Sequence, residues 1–188
     1  MLISLGFIIG AILGSLSYAL SLRSLGKESF WGRSYCPHCK HVLRWYDLFP
    51  IVSYLLLRGK CRYCHKSIPK EYLLVEISMG ILVALLFWQQ FNIFNLFFIT
   101  TLAILFITDI KKMLIPDRIV LPAIVIALLA KPFADNILTA LGIAGFFYAL
   151  ILVTRGKGMG GGDVKLGGFI GLGLGFPNGI VAIFLAFL

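Results

Sequence analysis

Long runs without charged residues constrain this chain more than any other feature. Residues 2–22 contain no charge, and a helix needs roughly 20 apolar residues to cross a bilayer. Of the 188 residues, 60% are hydrophobic and only 13% are charged, which is too apolar for a water-soluble domain of this length. The sequence therefore predicts an all-α polytopic membrane protein.

The later apolar runs predict six or seven transmembrane helices in total. They cover residues 72–90, 94–108, 119–130 and 137–153, and a Gly-rich stretch then leads to Leu188. We expect a turn at residues 177–179, but Pro177 is also compatible with one kinked span over residues 166–188. Because the last apolar run is unfinished at Leu188, we interpret that span as truncated. The predicted organisation is a first span (1–22), a cytoplasmic loop domain (23–71) and a larger transmembrane domain (72–188).

The distribution of basic residues predicts the orientation of the spans. The formal net charge is +9, and 10 of the 17 Lys and Arg residues fall within residues 23–70. Basic residues beside a span favour the cytoplasmic side, so we expect this loop inside and the N-terminus outside. Counting the spans from there also places Asp109 and Asp163 on the cytoplasmic side.

The same basic patch has two possible partners. Contact with the lipid bilayer explains the patch more simply than nucleic acid does, and we predict no nucleic-acid partner.

All four cysteines lie in the basic loop, in two Cys-x-x-Cys pairs. Cys36 pairs with Cys39 and Cys61 with Cys64, with 21 residues between the pairs. Two such pairs supply the four thiolates of a tetrahedral structural Zn²⁺ site. A reducing compartment disfavours the alternative of two disulfides, and a redox pair would not need both motifs. Three nearby histidines are expected to be bystanders, although one could replace a thiolate: His38, His41 and His65.

Two aspartates at the ends of apolar runs are the predicted catalytic residues. Asp109 follows the run 94–108, and Asp163 ends a Gly-rich stretch that starts at residue 158. An ionisable residue at the edge of a span is a functional candidate, although Asp109 alone would equally suit a solvated helix end. Two close carboxylates share one proton, so one can activate water while the other protonates the peptide, as in aspartyl proteases.

Two further features have simpler interpretations. The Gly-rich stretch matches a dinucleotide-binding pattern, but it has no strand–helix–strand unit and no acidic residue about 20 positions later. Glu76 lies within the second apolar run. We expect it to pair with a basic loop residue, and a catalytic role is the alternative.

Taken together, these motifs resemble the prepilin peptidase family (type IV leader peptidases). The similarity lies in residues 33–39, 44–54, 59–64, 108–110, 115–117 and 160–166. The resemblance implies an inner-membrane endopeptidase that removes the basic leader of type IV prepilins and pseudopilins on the cytoplasmic side, with Asp109 and Asp163 as its catalytic pair. It also implies N-methylation of the new terminal residue with S-adenosylmethionine, an activity linked to the large loop.

Rival functions come from other classes. A zinc-stabilised membrane adaptor would explain the cysteines and the charge, but not the carboxylates at span ends. A presenilin-like intramembrane aspartyl protease shares Gly-x-Gly-Asp, yet the sequence has no Pro-Ala-Leu-Pro and the cysteine loop fits it poorly. An ion-coupled transporter would need its charges nearer the bilayer midplane.

Overall fold

The computed structural model describes residues 2–89, 91–156 and 159–186. In these ranges the chain forms eight α-helices, one short 3-10 helix at Trp45–Leu48 and two isolated β-bridges. The α-helices are α1 (Leu2–Leu25), α2 (Val52–Leu56), α3 (Lys70–Gln89), α4 (Ile93–Lys112), α5 (Asp117–Ala130), α6 (Ala134–Val153), α7 (Gly161–Leu174) and α8 (Asn178–Ala186). The predicted all-α class is confirmed.

Four of these helices are long and apolar enough to cross a membrane. They are α1, α3, α4 and α6, with mean hydropathies of 1.8 to 2.1. Helices α5 and α7 have 14 residues each, which is about 21 Å of helix against a hydrocarbon core of about 30 Å. The chain is thus a multi-pass membrane protein, and the total of six or seven spans stays a prediction.

Three helix ends differ from the sequence-based expectation. Helix α4 continues to Lys112, so Asp109 lies in its last helical turns and not in a charged loop. Helix α7 begins at Gly161, so Asp163 lies in its first turn and not in a loop over residues 154–165. Residues 166–186 are not one continuous helix, because α7 ends at Leu174 and Gly175 adopts φ 65°, and the choice between a turn and a kinked span stays a prediction. Residues 1, 90, 157, 158, 187 and 188, which include Gly158 of the predicted Gly-rich stretch, lie outside the described ranges.

The chain divides into two compact units, Met1–Ile107 and Thr108–Leu188. In the first unit, α1 and α3 pack along their length through small residues. A Cβ atom at Gly14 would lie 2.9 Å from the carbonyl oxygen of Val75. In the second unit, α7 packs on α5 and α6, and a Cβ atom at Gly171 would lie 2.6 Å from the Cα of Ala140. Glycine lets helix backbones approach this closely in membranes.

Candidate metal centre and candidate active site

Each cysteine pair forms the same tight turn. In the first turn the N–H of Cys36 donates to the carbonyl oxygen of His41 at 2.9 Å. In the second the N–H of Cys61 donates to the carbonyl oxygen of Lys66, also at 2.9 Å. In each pair, the residue directly after the second cysteine has a left-handed backbone conformation. These residues are Lys40 at φ 58° and His65 at φ 56°. The repeated geometry aims both pairs of thiols toward one point.

The four thiols lie at the separations that a metal ion requires. All four Sγ atoms are within 4.8 Å of one another, and Cys36 Sγ lies 3.8 Å from Cys64 Sγ. Four sulfurs at about 2.3 Å from a tetrahedral Zn²⁺ would be about 3.8 Å apart. The cysteines are free thiols, and the cluster found in the described residues contains no histidine. The predicted four-cysteine group that could bind a metal is confirmed.

The electrostatics of the cluster favour a cation. Burial alone would raise the pKa of the Cys36 thiol, but the backbone N–H groups of Cys39 and His38 lower it to about 7. The Lys66 N–H lowers the pKa of Cys64, yet burial and the neighbouring thiols outweigh it and raise that pKa to about 11. Each thiolate disfavours the next one, so four thiolates need a divalent cation between them.

Asp47 connects the second cysteine pair to the rest of the loop, a role that the sequence did not reveal. Its side chain is 3% exposed, and Oδ1 accepts a hydrogen bond from Arg62 Nε at 2.8 Å. Its Oδ2 accepts from the Tyr63 hydroxyl at 3.0 Å and from the Arg44 N–H at 3.2 Å. Burial alone would raise the pKa of Asp47, but these donors, led by Arg62, lower it.

Glu76 fastens the middle of the loop to α3. The residue is 6% exposed, and its Oε2 accepts the backbone N–H of Ile51 at 2.7 Å. The contact is to the loop backbone and not to the basic side chain that the sequence suggested. Ile51 has φ 62°, which is an uncommon conformation for a β-branched residue. The hydrogen bond therefore helps to hold a bend that the side chain of Ile51 disfavours.

A cavity of about 330 Å³ lies between the loop and the first two long helices. Ser15 on α1, Tyr72 and Glu76 on α3, and Asp47 and Tyr54 on the loop contribute to its walls. The volume is at the lower end of the range for small-molecule sites. This cavity belongs entirely to the first unit.

The two predicted catalytic residues both lie in the second unit. Asp109 is exposed near the end of α4. Asp163 is half-buried, and its Oδ2 accepts the N–H of Gly160 at 2.9 Å. That bond satisfies one backbone donor at the start of α7 and explains why the Gly-rich stretch becomes helical at this point.

The start of α7 contacts the chain segment that follows Asp109. A Cβ atom at Gly162 would lie 3.1 Å from the Cβ of Ile115, so these two residues are in close contact. Lys165 Nζ forms an ion pair with Asp117 Oδ1 at 2.5 Å. The residues on either side of Asp163 are thus joined to residues 115–117. The pairing of Asp109 with Asp163 itself stays a prediction.

Comparison with known proteins identifies the family. Residues 8–90 match the model described as Bacterial Peptidase A24 N-terminal domain, and residues 96–188 match that of the Type IV leader peptidase family. The chain belongs to the type IV leader peptidase family. It is therefore a peptidase, and the resemblance seen in the sequence motifs is confirmed.

Several curated members of the type IV leader peptidase family are similar over most of this chain. A prepilin leader peptidase/N-methyltransferase of Vibrio cholerae is 35% identical over an alignment of 193 positions, which covers 89% of this chain and 76% of the relative. The protein of the same name from Bacillus subtilis is 37% identical and covers 100% and 79%, respectively. That of Neisseria gonorrhoeae is 34% identical and covers 81% and 58%. No solved structure matches the chain.

Proposed function

We propose that this enzyme removes the basic leader peptide of type IV prepilins and pseudopilins by aspartyl chemistry, with Asp109 and Asp163 as the catalytic pair. Family membership and the names of the relatives support the substrate class. The observation that carries the residue assignment is the packing of the start of α7 against residues 115–117. We infer that cleavage occurs on the cytoplasmic face of the bacterial inner membrane, with the N-terminus on the opposite side.

The two carboxylates divide the chemistry between them. One carries the shared proton and gives it to the carbonyl oxygen of the scissile peptide, while the ionised one takes a proton from the attacking water. The tetrahedral intermediate then breaks its C–N bond. The leaving nitrogen takes the proton that came from water, and a hydroxyl of the intermediate returns its proton to the carboxylate that had given it, which restores the pair. Gly160 and Gly161 beside Asp163 offer a backbone without side chains, which leaves room for an extended peptide.

The deciding experiment is prepilin cleavage by the purified enzyme in detergent, with product masses measured by mass spectrometry. Asp109→Asn and Asp163→Asn should each lower the cleavage rate by at least about 100-fold, because an amide can neither take nor give the proton. Asp135→Asn, an exposed change in the first turn of α6, is the matched control and should cleave normally. Full activity in either active-site variant would reject Asp109 and Asp163 as the catalytic pair and would require other residues to carry the cleavage.

We also propose that the four cysteines hold one structural Zn²⁺ and that the enzyme N-methylates the new terminal residue. The printed names of the relatives include N-methyltransferase. S-adenosylmethionine would supply the methyl group. The cavity beside Tyr72 and Glu76 has the volume of a small-molecule site, and its carboxylates suit a positively charged sulfonium. The same mass spectra would detect a methylated product terminus.

The proposed orientation is testable by cysteine labelling of intact cells. Reporter cysteines at Lys40 and Lys112 should be protected from impermeant reagents, and one at Lys131 should be labelled from outside. If positions 40 and 112 were labelled from opposite sides, Asp109 would not share a compartment with the cysteine loop. The cytoplasmic assignment would then be wrong.

A further inference from the structure

The middle of the cysteine loop carries a large exposed apolar surface, formed by residues 45–56 and here named the apolar ledge. It includes the 3-10 helix Trp45–Leu48 and helix α2. Five of its large apolar side chains are between 52% and 77% exposed: Trp45, Phe49, Val52, Leu55 and Leu56. The opposite side of α2 faces the cavity through Ser53 and Tyr54. A loop surrounded only by water would not concentrate apolar side chains on its outer face.

The hydrogen bond between Ile51 and Glu76 fixes the depth of the apolar ledge relative to α3. Glu76 is six residues after Lys70, the first residue of α3, which is about 9 Å along the helix axis. Side chains on a helix lean toward its N-terminus, so the carboxylate that holds Ile51 lies about one turn inside α3. The apolar ledge is therefore held level with the first apolar turn of a membrane-spanning helix.

Polar contacts between α1 and α3 begin one turn before Glu76. The rings of Tyr18 and Tyr72 have centroids 3.9 Å apart, and the Tyr18 hydroxyl donates to Glu71 Oε2 at 2.7 Å. Arg23, in the last turn of α1, lies beyond this pair. Tyrosines gather where a bilayer meets water, and basic residues flank that zone. The polar ends of α1 and α3 therefore begin near Tyr72, about one helical turn from Glu76, to which the apolar ledge is attached.

We propose that the apolar ledge lies in the bilayer interface, with its exposed apolar side chains at the boundary between headgroups and acyl chains. Two observations favour lipid as the occupant. The apolar surface of the ledge continues that of α1, where Ile12 and Leu16 near the cavity are about half exposed. Exposed Arg44 and Arg58 flank the ledge and suit anionic headgroups. Apolar insertion combined with attraction to anionic lipid is how interfacial elements bind.

The apolar ledge also separates the cavity from the acyl chains. One side of α2 faces lipid, and its other side provides part of the cavity wall. Lipid contact therefore helps to keep the wall in position without any residue of the second unit. This inference needs only the membrane setting of α1 and α3, so it stands even if the proposed catalysis fails.

The three tryptophans of the chain provide a direct test. Trp31 is 93% exposed in the loop outside the apolar ledge, Trp45 belongs to the ledge, and Trp88 is 71% exposed near the far end of α3. Variants that retain one tryptophan each are made by Trp→Phe substitution and reconstituted in phosphatidylcholine/phosphatidylglycerol vesicles. Fluorescence is then quenched by iodide from water and by lipids brominated at defined acyl positions.

Trp45 should be quenched most by bromines near the headgroup end of the acyl chain. Its iodide quenching constant should be at least about threefold below that of Trp31, because an interfacial side chain is withdrawn from water. In the protein that retains only Trp45, the double substitution Leu55→Ser and Leu56→Ser should raise the iodide quenching of Trp45. Reconstitution in phosphatidylcholine alone should also raise it, because anionic headgroups are then absent. Helical content by circular dichroism and a monodisperse elution profile in detergent, both unchanged from wild type, confirm that each variant is folded.

Two outcomes would overturn the proposal. If iodide quenched Trp45 as strongly as Trp31 and brominated lipids had no effect, the apolar ledge would face water. If iodide quenching of Trp45 fell only after prepilin was added, the ledge would be a protein-binding surface and not a lipid-binding one.

Discussion

Replacing Asp47 by asparagine is the most direct test of how the cysteine loop is held together. The carboxylate accepts hydrogen bonds from Arg62, Tyr63 and Arg44, and its own side chain is 3% exposed. An asparagine of the same shape keeps one acceptor oxygen, but its NH₂ group must face either Arg62 or the other two donors. At least one donor then loses its acceptor in a nearly dry site.

The expected cost follows from these contacts. Arg62 is about half exposed, so its ion pair contributes less than 1 kcal/mol. The unpaired donor and the lost charge bring the total to about 2 kcal/mol. Metal binding and loop folding are one equilibrium in small metal-binding domains. The apparent zinc affinity of Asp47→Asn should therefore fall by about 30-fold.

The assay is zinc transfer from the purified protein to a chelator of graded affinity. Asp135→Asn serves again as the control, because Asp135 is exposed and lies in the other unit. Arg62→Lys retains the positive charge and should lose less affinity than Asp47→Asn. A zinc affinity of Asp47→Asn within threefold of wild type would refute the role assigned to this carboxylate.

The remaining predictions concern pH, zinc, helix packing and the ion pair at α7. Because the folded pKa of Asp47 lies below its usual value of about 3.9, its contribution to loop stability should be complete above about pH 4 and vanish as pH falls through the folded pKa. Tryptophan fluorescence during acid unfolding would show this loss in wild type and not in Asp47→Asn. Cys36→Ser should lower the metal content from about one Zn²⁺ per chain by elemental analysis, while full occupancy in a Cys36/Cys61 double variant would exclude the site. Gly14→Ala should reduce thermal stability in detergent, because its Cβ would meet the Val75 carbonyl, whereas Gly142→Ala, with open space around it, should not. Lys165→Gln and Asp117→Asn should each slow cleavage only a few-fold, and the double variant should be no slower than either, since a partly exposed ion pair contributes under about 1 kcal/mol.

The features that the sequence predicted well are those encoded in short, repeated patterns. Apolar runs of span length identified the long helices, and two Cys-x-x-Cys motifs identified the metal-binding group. Both signals depend on residue types and their spacing along the chain, and not on contacts between residues that are distant in sequence. The sequence motifs around Asp109 and Asp163 likewise indicate the correct family.

The features that the sequence missed depend on contacts between distant residues. Glu76 accepts a backbone N–H 25 residues away, and a backbone donor leaves no mark on residue type. The role of Asp47 could not be predicted, because its partners Arg62 and Tyr63 are 15 and 16 residues away in sequence and meet it only in the folded loop. The helical position of Asp163 was missed because glycines usually indicate a loop, whereas here its own carboxylate caps the start of α7.

The matching turns around the two cysteine pairs determine how far the loop can reach. With both turns joined by a metal ion, residues 40–60 form a closed segment whose ends meet beside Cys39 and Cys61. Without the ion, residues 26–69 would be a 44-residue connection between α1 and α3. The middle of that connection is about 22 residues from either helix, and a flexible chain of 22 residues has a typical end-to-end distance of about 26 Å. The ion therefore restricts how far the loop can move from the two helices. Its removal by a chelator would let the middle of the loop move over a distance comparable to the thickness of the hydrocarbon core.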